Sequence, residues 1–227
     1  MRGKHIGQIV LLTILSCIAL FIIEQIIEVG YVIKTAAKLV MFLIIPLAYI
    51  TFVLRQPILA FLNVKSIDIK NLRLGFIFGV LAMGIVISAF VLFHNFINTD
   101  TIIDDLQTRL KITPEIFLFI AIYITLGNSL LEEFYFRGFI FFNLYKTDHK
   151  LLAYLFSSLL FSVYHVAIFA VWFNIWLILL AMLGLFLVGL VFSWLNTKSN
   201  NFLNSWLLHI LADLGVMLIG FHLFGFY

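Results

Sequence analysis

The sequence predicts an all-α fold, a polytopic bundle of helices that cross a membrane. Hydrophobic residues make up 64% of the 227 residues and charged residues only 11%, whereas soluble domains carry roughly 25% charged residues. The apolar residues form segments of the length that a helix needs to cross a bilayer. No strand pattern and no obvious internal repeat interrupts them. We therefore expect about seven to eight transmembrane helices in a single integral-membrane domain, residues 1–227.

Seven apolar segments follow one another, most of them joined by short connections. The first follows Arg2 and Lys4 and is longer than the core of a signal peptide, so we interpret it as a membrane span. The two longer connections are 55–71 and 98–113, and the mixture of charged and apolar residues in 55–71 favours a short helix on the membrane surface. The predicted spans are 6–31, 36–54, 72–97, 114–145, 150–170, 173–195 and 202–225.

The basic residues predict the orientation of these spans. With the N-terminus in the cytoplasm, the inner segments hold nine of the 14 Lys and Arg residues and the outer segments hold four, which are Lys34, Lys38, Arg109 and Lys111. This is the bias that the positive-inside rule describes. We expect a multi-pass protein of the cell membrane whose partner is the lipid bilayer. The net charge of +3 reflects this topology, and we expect no nucleic-acid partner.

The fourth segment contains two adjacent acids and an arginine inside an apolar run. A charged side chain at the centre of a span costs about 2.5–3.5 kcal/mol, so such residues indicate a function. Glu133 and Arg137 are four residues apart and lie on one helix face, where they can form an ion pair. Glu132 lies about 100° further round the helix and has no charged partner there. An unpaired buried carboxyl is suited to general acid or base catalysis.

Two later spans carry further ionisable residues. His165 lies in the fifth span, and His209 and Asp213 share one face of the seventh. At about 1.5 Å per residue, Glu132 lies about 18 Å and His165 about 21 Å from the cytoplasmic ends of their helices. The corresponding depths are about 10 Å for His209 and about 16 Å for Asp213. We expect the four side chains to converge at one level, with N-terminal helices 1–113 beside catalytic core helices 114–227.

Carboxylates and imidazoles in a dry bundle suit the attack of water on an amide. Glu132 would take a proton from the water that His165 holds or polarises, and His209 with Asp213 would face the carbonyl oxygen where charge develops. Alternatively, Glu132, His165 and His209 could bind a divalent metal such as zinc, with a water in an open position. The sequence lacks the H-E-x-x-H pattern of the usual zinc proteases. Both possibilities remain open.

Three ordered motifs resemble the CPBP family of CAAX proteases and bacteriocin-processing proteins, also called Abi proteins. The family pattern is E-E-x-x-x-R, then F-x-x-x-H, then H-x-x-x-N, on successive membrane helices. Here the motifs begin at Glu132, Phe161 and His209, so that the resemblance covers about residues 115–215. It implies an intramembrane endopeptidase, with Glu132 and His165 in water activation and His209 and Asp213 in oxyanion stabilisation. Glu133 and Arg137 would support them.

One position departs from that pattern, because Asp213 stands where the family has Asn. An ionised Asp accepts hydrogen bonds only and would repel an oxyanion. It could act if it were protonated, if it kept His209 as an imidazolium, or if it bound a metal.

The resemblance implies a membrane-associated peptide or protein as the substrate, either a prenylated C-terminal tail or the leader of a small secreted peptide. Peptide maturation or bacteriocin self-immunity is the favoured role. Two other classes of function fit the same residues. Intramembrane Glu, His and Asp are also what a proton- or ion-coupled transporter needs, and the departure at Asp213 is compatible with a non-catalytic immunity or scaffold protein.

Overall fold

A computed structural model describes residues 3–62, 69–147 and 149–227, and these form helices joined by turns, with no strand among them. Within these described ranges, seven helices are long and apolar enough to cross a membrane. The predicted all-α polytopic bundle is therefore confirmed. The spans are α1 (Gly3–Gln25), α2 (Tyr31–Val53), α3 (Ile69–Phe93), α4 (Pro114–Tyr145), α5 (Lys150–Tyr164, continued by Val166–Phe169), α6 (Ile175–Ser199) and α7 (Leu203–Leu223).

Short helices occupy the two longer connections. Ile58–Leu62 is helical within the stretch expected to lie on the membrane surface, and residues 63–68 of that stretch fall outside the described residues. The helix Thr99–Asp104 is preceded by Asn98, whose side chain accepts a hydrogen bond from the Thr101 amide and so caps the helix.

Helix α4 lies at the centre of the bundle. Every residue from 131 to 144 is buried, and α1, α2, α5, α6 and α7 all pack against this stretch. Two segments, Tyr123–Asn128 and Glu133–Phe141, have the wider turns of a π-helix. Such turns are rare and often occur at functional sites, because they change the direction in which side chains point. A helix enclosed by apolar neighbours can carry charged side chains only if they pair with one another.

Glycine residues allow α3 and α7 to pack closely. A side chain at Gly79 would lie within 2.9 Å of the Leu211 Cβ, and one at Gly215 would lie 3.2 Å from the Met83 Cγ. The Gly75 amide donates a hydrogen bond of 2.9 Å to the side-chain oxygen of Asn204. Small residues at helix contacts are typical of membrane bundles, in which packing rather than hydrophobicity drives association.

Helix α5 is interrupted at His165, one residue after its regular turns end at Tyr164. Hydroxyl groups fix it against both neighbours: Ser157 donates to the Phe136 carbonyl of α4 at 2.8 Å, and Ser162 donates to the Met182 carbonyl of α6 at 2.6 Å. The position of His165 is thus determined by two helix contacts.

Polar contacts join the ends of several helices on the side from which α2 and α4 begin. Arg109 makes two hydrogen bonds to Asp105, of 2.5 and 2.8 Å, and these raise the pKa of the Arg109 guanidinium above its ordinary value. Trp172 donates to the same Asp105 carboxylate at 2.8 Å. The loop before α4 is therefore held to the loop after α5.

The sequence assigns Lys38 to an outer connection, and the structure shows that this assignment is wrong. Lys38 lies two turns inside α2, where its side chain is 6% exposed. It is therefore part of a span, and its charge does not contribute to an outer connection.

Candidate active site

Glu132 is held at one of its two carboxylate oxygens. Its Oε1 accepts hydrogen bonds from Lys38 Nζ at 2.6 Å and from Asn128 Nδ2 at 3.0 Å. Its Oε2 is buried and has no hydrogen-bond partner. Glu132 thus has no charged partner within α4, as its position on the helix predicts, and its charged partner Lys38 comes from α2, where the spacing of residues in α4 could not reveal it.

The unpartnered oxygen faces two histidines. Glu132 Oε2 lies 3.6 Å from His165 Nε2 and 3.8 Å from His209 Nε2. Both distances exceed those of direct hydrogen bonds, which rarely reach beyond 3.2 Å. Glu132 Oε2 and the two Nε2 atoms are therefore not bonded directly to one another, and each can still bond to a further group. Helices α4, α5 and α7 therefore contribute one polar group each to a single point.

His165 is oriented by its own helix. Its Nδ1 lies 2.7 Å from the Phe161 carbonyl oxygen, so that Nδ1 carries the proton and donates. The lone pair of the neutral ring is then on Nε2, the nitrogen nearest to Glu132. The four-residue spacing of the second motif thus has a direct physical purpose, because it sets the tautomer of the histidine.

His209 contacts three carboxyl groups. Its Nδ1 lies 3.0 Å from Glu133 Oε1, and its Nε2 lies 3.7 Å from Asp213 Oδ1, with Glu132 at the distance given above. Asp213 Oδ2 is buried without a hydrogen-bond partner. The ring also stacks on Phe192 of α6, with centroids 5.3 Å apart.

Glu133 and Arg137 form the ion pair that their spacing predicts, with Arg137 Nη1 3.2 Å from Glu133 Oε1. The guanidinium is fully buried between the rings of Phe161 and Phe192, 4.1 and 4.6 Å from their centroids. Such cation–π contacts stabilise a desolvated cation by about 2 kcal/mol. Glu133 Oε2 accepts a hydrogen bond from Ser205 of α7. Glu133 therefore joins Arg137 to His209.

A metal ion was one possible occupant of this site. Among the residues that the structure describes, no group of three or more His, Cys, Asp or Glu side chains has an arrangement that could hold a metal. The side chains of Glu132, His165 and His209, as they are arranged here, therefore do not fit a metal ion.

Four residues outside the three motifs also belong to the site. Lys38 bonds to Glu132 and to Asn128. Phe192 contacts the Arg137 guanidinium, and Ser205 bonds to Glu133. The signal for Lys38 was present, since a lysine in a span calls for a counter-charge. No local signal distinguished Phe192 among the 26 phenylalanines of the chain.

The comparison with protein families agrees with the three motifs. The family model described as Rce1-like, "Type II CAAX prenyl endopeptidase Rce1-like", matches residues 114–215. That interval runs from the start of α4 into α7 and contains Glu132, His165, His209 and Asp213. A search of curated proteins and a search of solved structures gave no match.

Proposed function

We propose that this chain, whose residues 114–215 carry the match to the Rce1-like type II CAAX prenyl endopeptidase family, hydrolyses a peptide bond with a water activated by Glu132 and His165. The match supports a CAAX-type intramembrane endopeptidase in general. The observation that carries the mechanism is the position of Glu132 Oε2, which has no partner and faces two imidazole nitrogens at 3.6 and 3.8 Å.

The first step is the attack of water on the carbonyl carbon of the substrate. The water donates one hydrogen bond to Glu132 Oε2 and the other to the lone pair of His165 Nε2. As the water oxygen forms its bond to carbon, Glu132 takes the proton, acting as the general base. The carbonyl π-electrons move to oxygen and give a tetrahedral oxyanion. Glu132 then returns the proton to the leaving amine, and the C–N bond breaks.

The oxyanion needs a hydrogen-bond donor, and His209 supplies it if both ring nitrogens carry protons. The ionised site contains the carboxylates of Glu132, Glu133 and Asp213 and the cations of Lys38 and Arg137. Buried charges in a membrane are stabilised when they balance, and one additional proton achieves this. His209 is the imidazole surrounded by carboxyl groups, so we assign the proton to it. Asp213 then acts through His209 and does not contact the oxyanion.

An apolar groove lies beside the helix that carries His165. It lies between α1 and α5, has a volume of about 220 Å³, and is lined by Ile14, Cys17, Ile18, Phe21, Leu160, Val163 and Tyr164. The Tyr164 ring lies next to His165, with centroids 5.2 Å apart. The groove suits an apolar part of the substrate, either the prenyl group of a CAAX peptide or the apolar core of a leader peptide. We place the protein in the cell membrane with its N-terminus in the cytoplasm, where it would act in peptide maturation or bacteriocin self-immunity.

The experiment is cleavage of two quenched fluorescent probes by the purified protein in detergent, a farnesylated peptide with a CAAX end and a leader peptide of a small secreted peptide. We expect one probe to be cleaved, and Glu132→Gln to lower kcat about a thousandfold, the range of general base catalysis. His165→Ala and His209→Ala should each lower kcat at least a hundredfold.

The matched control is Glu24→Gln. Glu24 is also a buried acid, 3% exposed and paired with a lysine of α2, but its partner is Lys34. We expect this variant to keep its activity. Cleavage that persists in the Glu132, His165 and His209 variants would remove the proposal, and substrate flux through proteoliposomes that depends on Glu132 would favour a transporter instead.

A further inference from the structure

Lys38 is a cation of α2 that reaches into the site formed by the core helices. Its Nζ lies 2.6 Å from Glu132 Oε1 and 2.5 Å from Asn128 Oδ1. The ring centroids of Tyr164 and Phe42 lie 5.0 and 5.7 Å from the same nitrogen. An ammonium group has three hydrogens, and two of them are directed to these oxygens. The position of Nζ is therefore defined from several sides.

These contacts determine which oxygen of Glu132 is available for chemistry. Asn128 accepts from Lys38 with its oxygen and donates to Glu132 Oε1 with its nitrogen, so the three groups form a closed ring of hydrogen bonds. Oε1 receives both of its donors from this ring. Rotation of the carboxylate would break two hydrogen bonds, and Oε2 is consequently directed at the two imidazoles.

Helix α2 supplies a natural comparison one turn earlier. Lys34 also forms an ion pair with a buried acid, Glu24 of α1. The two pairs have the same chemistry and connect α2 to a neighbour. Only the acid paired with Lys38 faces a histidine, Glu132 at 3.6 Å from His165. A purely structural function would therefore be shared by both lysines, whereas a function in the reaction would belong to Lys38 alone.

We propose that Lys38 is a positioning residue of the hydrolytic site, which holds Glu132 Oε1 so that Glu132 Oε2 is presented to the water and to both histidines. This inference rests on the proposed function. It extends the site beyond residues 114–215, because Lys38 lies outside the interval that matches the family model.

The first test compares Lys38→Met with Lys34→Met by kcat and KM on the probe that the wild type cleaves, per folded molecule. Lys38→Met should lower kcat about a hundredfold, the effect of misplacing a catalytic group by about 1 Å, and should change KM less than about threefold. Lys38→Arg, which restores the charge and the donors, should recover at least about tenfold of that loss. Lys34→Met should keep the wild-type kcat. Equal kcat values for the two Met variants would overturn the inference.

The second test does not require cleavage. Thermal unfolding in detergent is measured for Lys38→Met, Glu132→Gln and the double variant. Removing one partner of a buried ion pair should lower Tm by roughly 10 °C, and the double variant should lose clearly less than the sum of the two. Additive losses would show that Lys38 does not hold Glu132 and would overturn the inference. If the wild type cleaves neither probe, the proposed function fails, and this cycle still decides whether Lys38 holds Glu132.

Discussion

At the scale of single residues, Asp213 departs from the family pattern that the three motifs resemble, which has Asn at this position. We propose for this carboxyl a role that does not need a donor. Asp213 Oδ1 lies 3.7 Å from His209 Nε2, and Glu133 Oε1 occupies the other nitrogen of the ring. A neutral His209 that donates from Nδ1 would have only a lone pair on the side of the oxyanion. The carboxyl of Asp213 favours the doubly protonated ring, which has a donor there.

Two replacements of Asp213 distinguish the effect of its negative charge from the effect of a hydrogen-bonding side chain at this position. Asp213→Asn supplies an amide N–H as a direct donor to the oxyanion, and it also leaves two balanced ion pairs in the site. We therefore expect it to keep kcat within about tenfold of the wild type. Asp213→Ala removes both kinds of support and should lower kcat about a hundredfold, the loss found for one oxyanion donor.

The measurement is kcat on the cleaved probe for the two variants at one pH and equal folded fraction. If Asp213→Asn is as inactive as Asp213→Ala, the negative charge itself is required, and the amide cannot replace it. If Asp213→Ala is fully active, neither the carboxyl nor His209 in its charged form supports the oxyanion.

The residues of the site were predictable to the extent that they are near one another in the sequence. Glu133 and Arg137 pair across one helical turn, and the Phe161 carbonyl orients His165 across another, so that spacing alone indicates these relations. Lys38 and Glu132 are 94 residues apart, and their contact depends on how α2 packs against α4. A lysine near the start of a span is easily assigned to the adjacent loop. Because Lys38 was assigned in this way, its contact with Glu132 was not predicted.

At the scale of elements, α5 carries His165, which we propose to be catalytic, and one wall of the groove. His165 lies where the regular helix ends, and Leu160 and Val163 line the groove on the turn before it. A substrate segment bound in the groove would thus lie one turn from the histidine. The groove belongs to α1 and α5 together, so that an N-terminal helix would contribute to the substrate binding proposed here.

A bulky side chain in the groove should affect binding and leave the chemistry unchanged. Val163→Trp fills much of the cavity of about 220 Å³, and we expect KM to rise at least about tenfold while kcat stays within about threefold, the pattern of lost ground-state binding. Leu159→Trp is the matched control, since Leu159 is 52% exposed on the same helix and does not line the groove. Equal KM values for the two variants would show that substrate does not use this groove.

The elements themselves followed closely from hydropathy. Each of the seven predicted spans corresponds to one helix, because a bilayer requires about 20 apolar residues in a row and that requirement is visible locally. The boundary between the first two was misplaced, since α1 ends at Gln25 and α2 already begins at Tyr31. The π-helical turns of α4 were not predictable in this way. They depend on the fit of Glu133–Phe141 among the surrounding helices, and nothing in their composition distinguishes them from α-helical turns.

At the scale of the whole molecule, the bundle surrounds α4, and both halves of the chain contribute to its charges. Arg137 is neutralised within α4, whereas Glu132 depends on α2. Residues 114–227 are therefore not sufficient for the balance of charge in the site. We propose that the N-terminal helices 1–113 and the core helices 114–227 act as one domain for this reason.

The two lysines of α2 also have a consequence for how the protein enters the membrane during synthesis. Each lysine raises the insertion cost of its helix by about 2.5–3.5 kcal/mol until an acid neutralises it. Glu24 precedes α2 and is present when Lys34 emerges, but Glu132 follows Lys38 by 94 residues. At about 5–20 residues per second, Lys38 waits on the order of 5–20 s for its counter-ion.

We therefore expect α2 to be incompletely integrated in ribosome-bound chains that stop before α4, and fully integrated once α4 has been made. Protection of α2 from a membrane-impermeant thiol reagent, using an engineered cysteine in a Cys17→Ser background, would report this difference. With Lys38→Leu, the protection of α2 should no longer depend on chain length. With Lys34→Leu, it should depend on chain length as in the wild type. Equal protection of the short and long wild-type chains would contradict the expectation. If it holds, the ion pair that we propose to position Glu132 is also the last connection that secures an early helix in the bilayer.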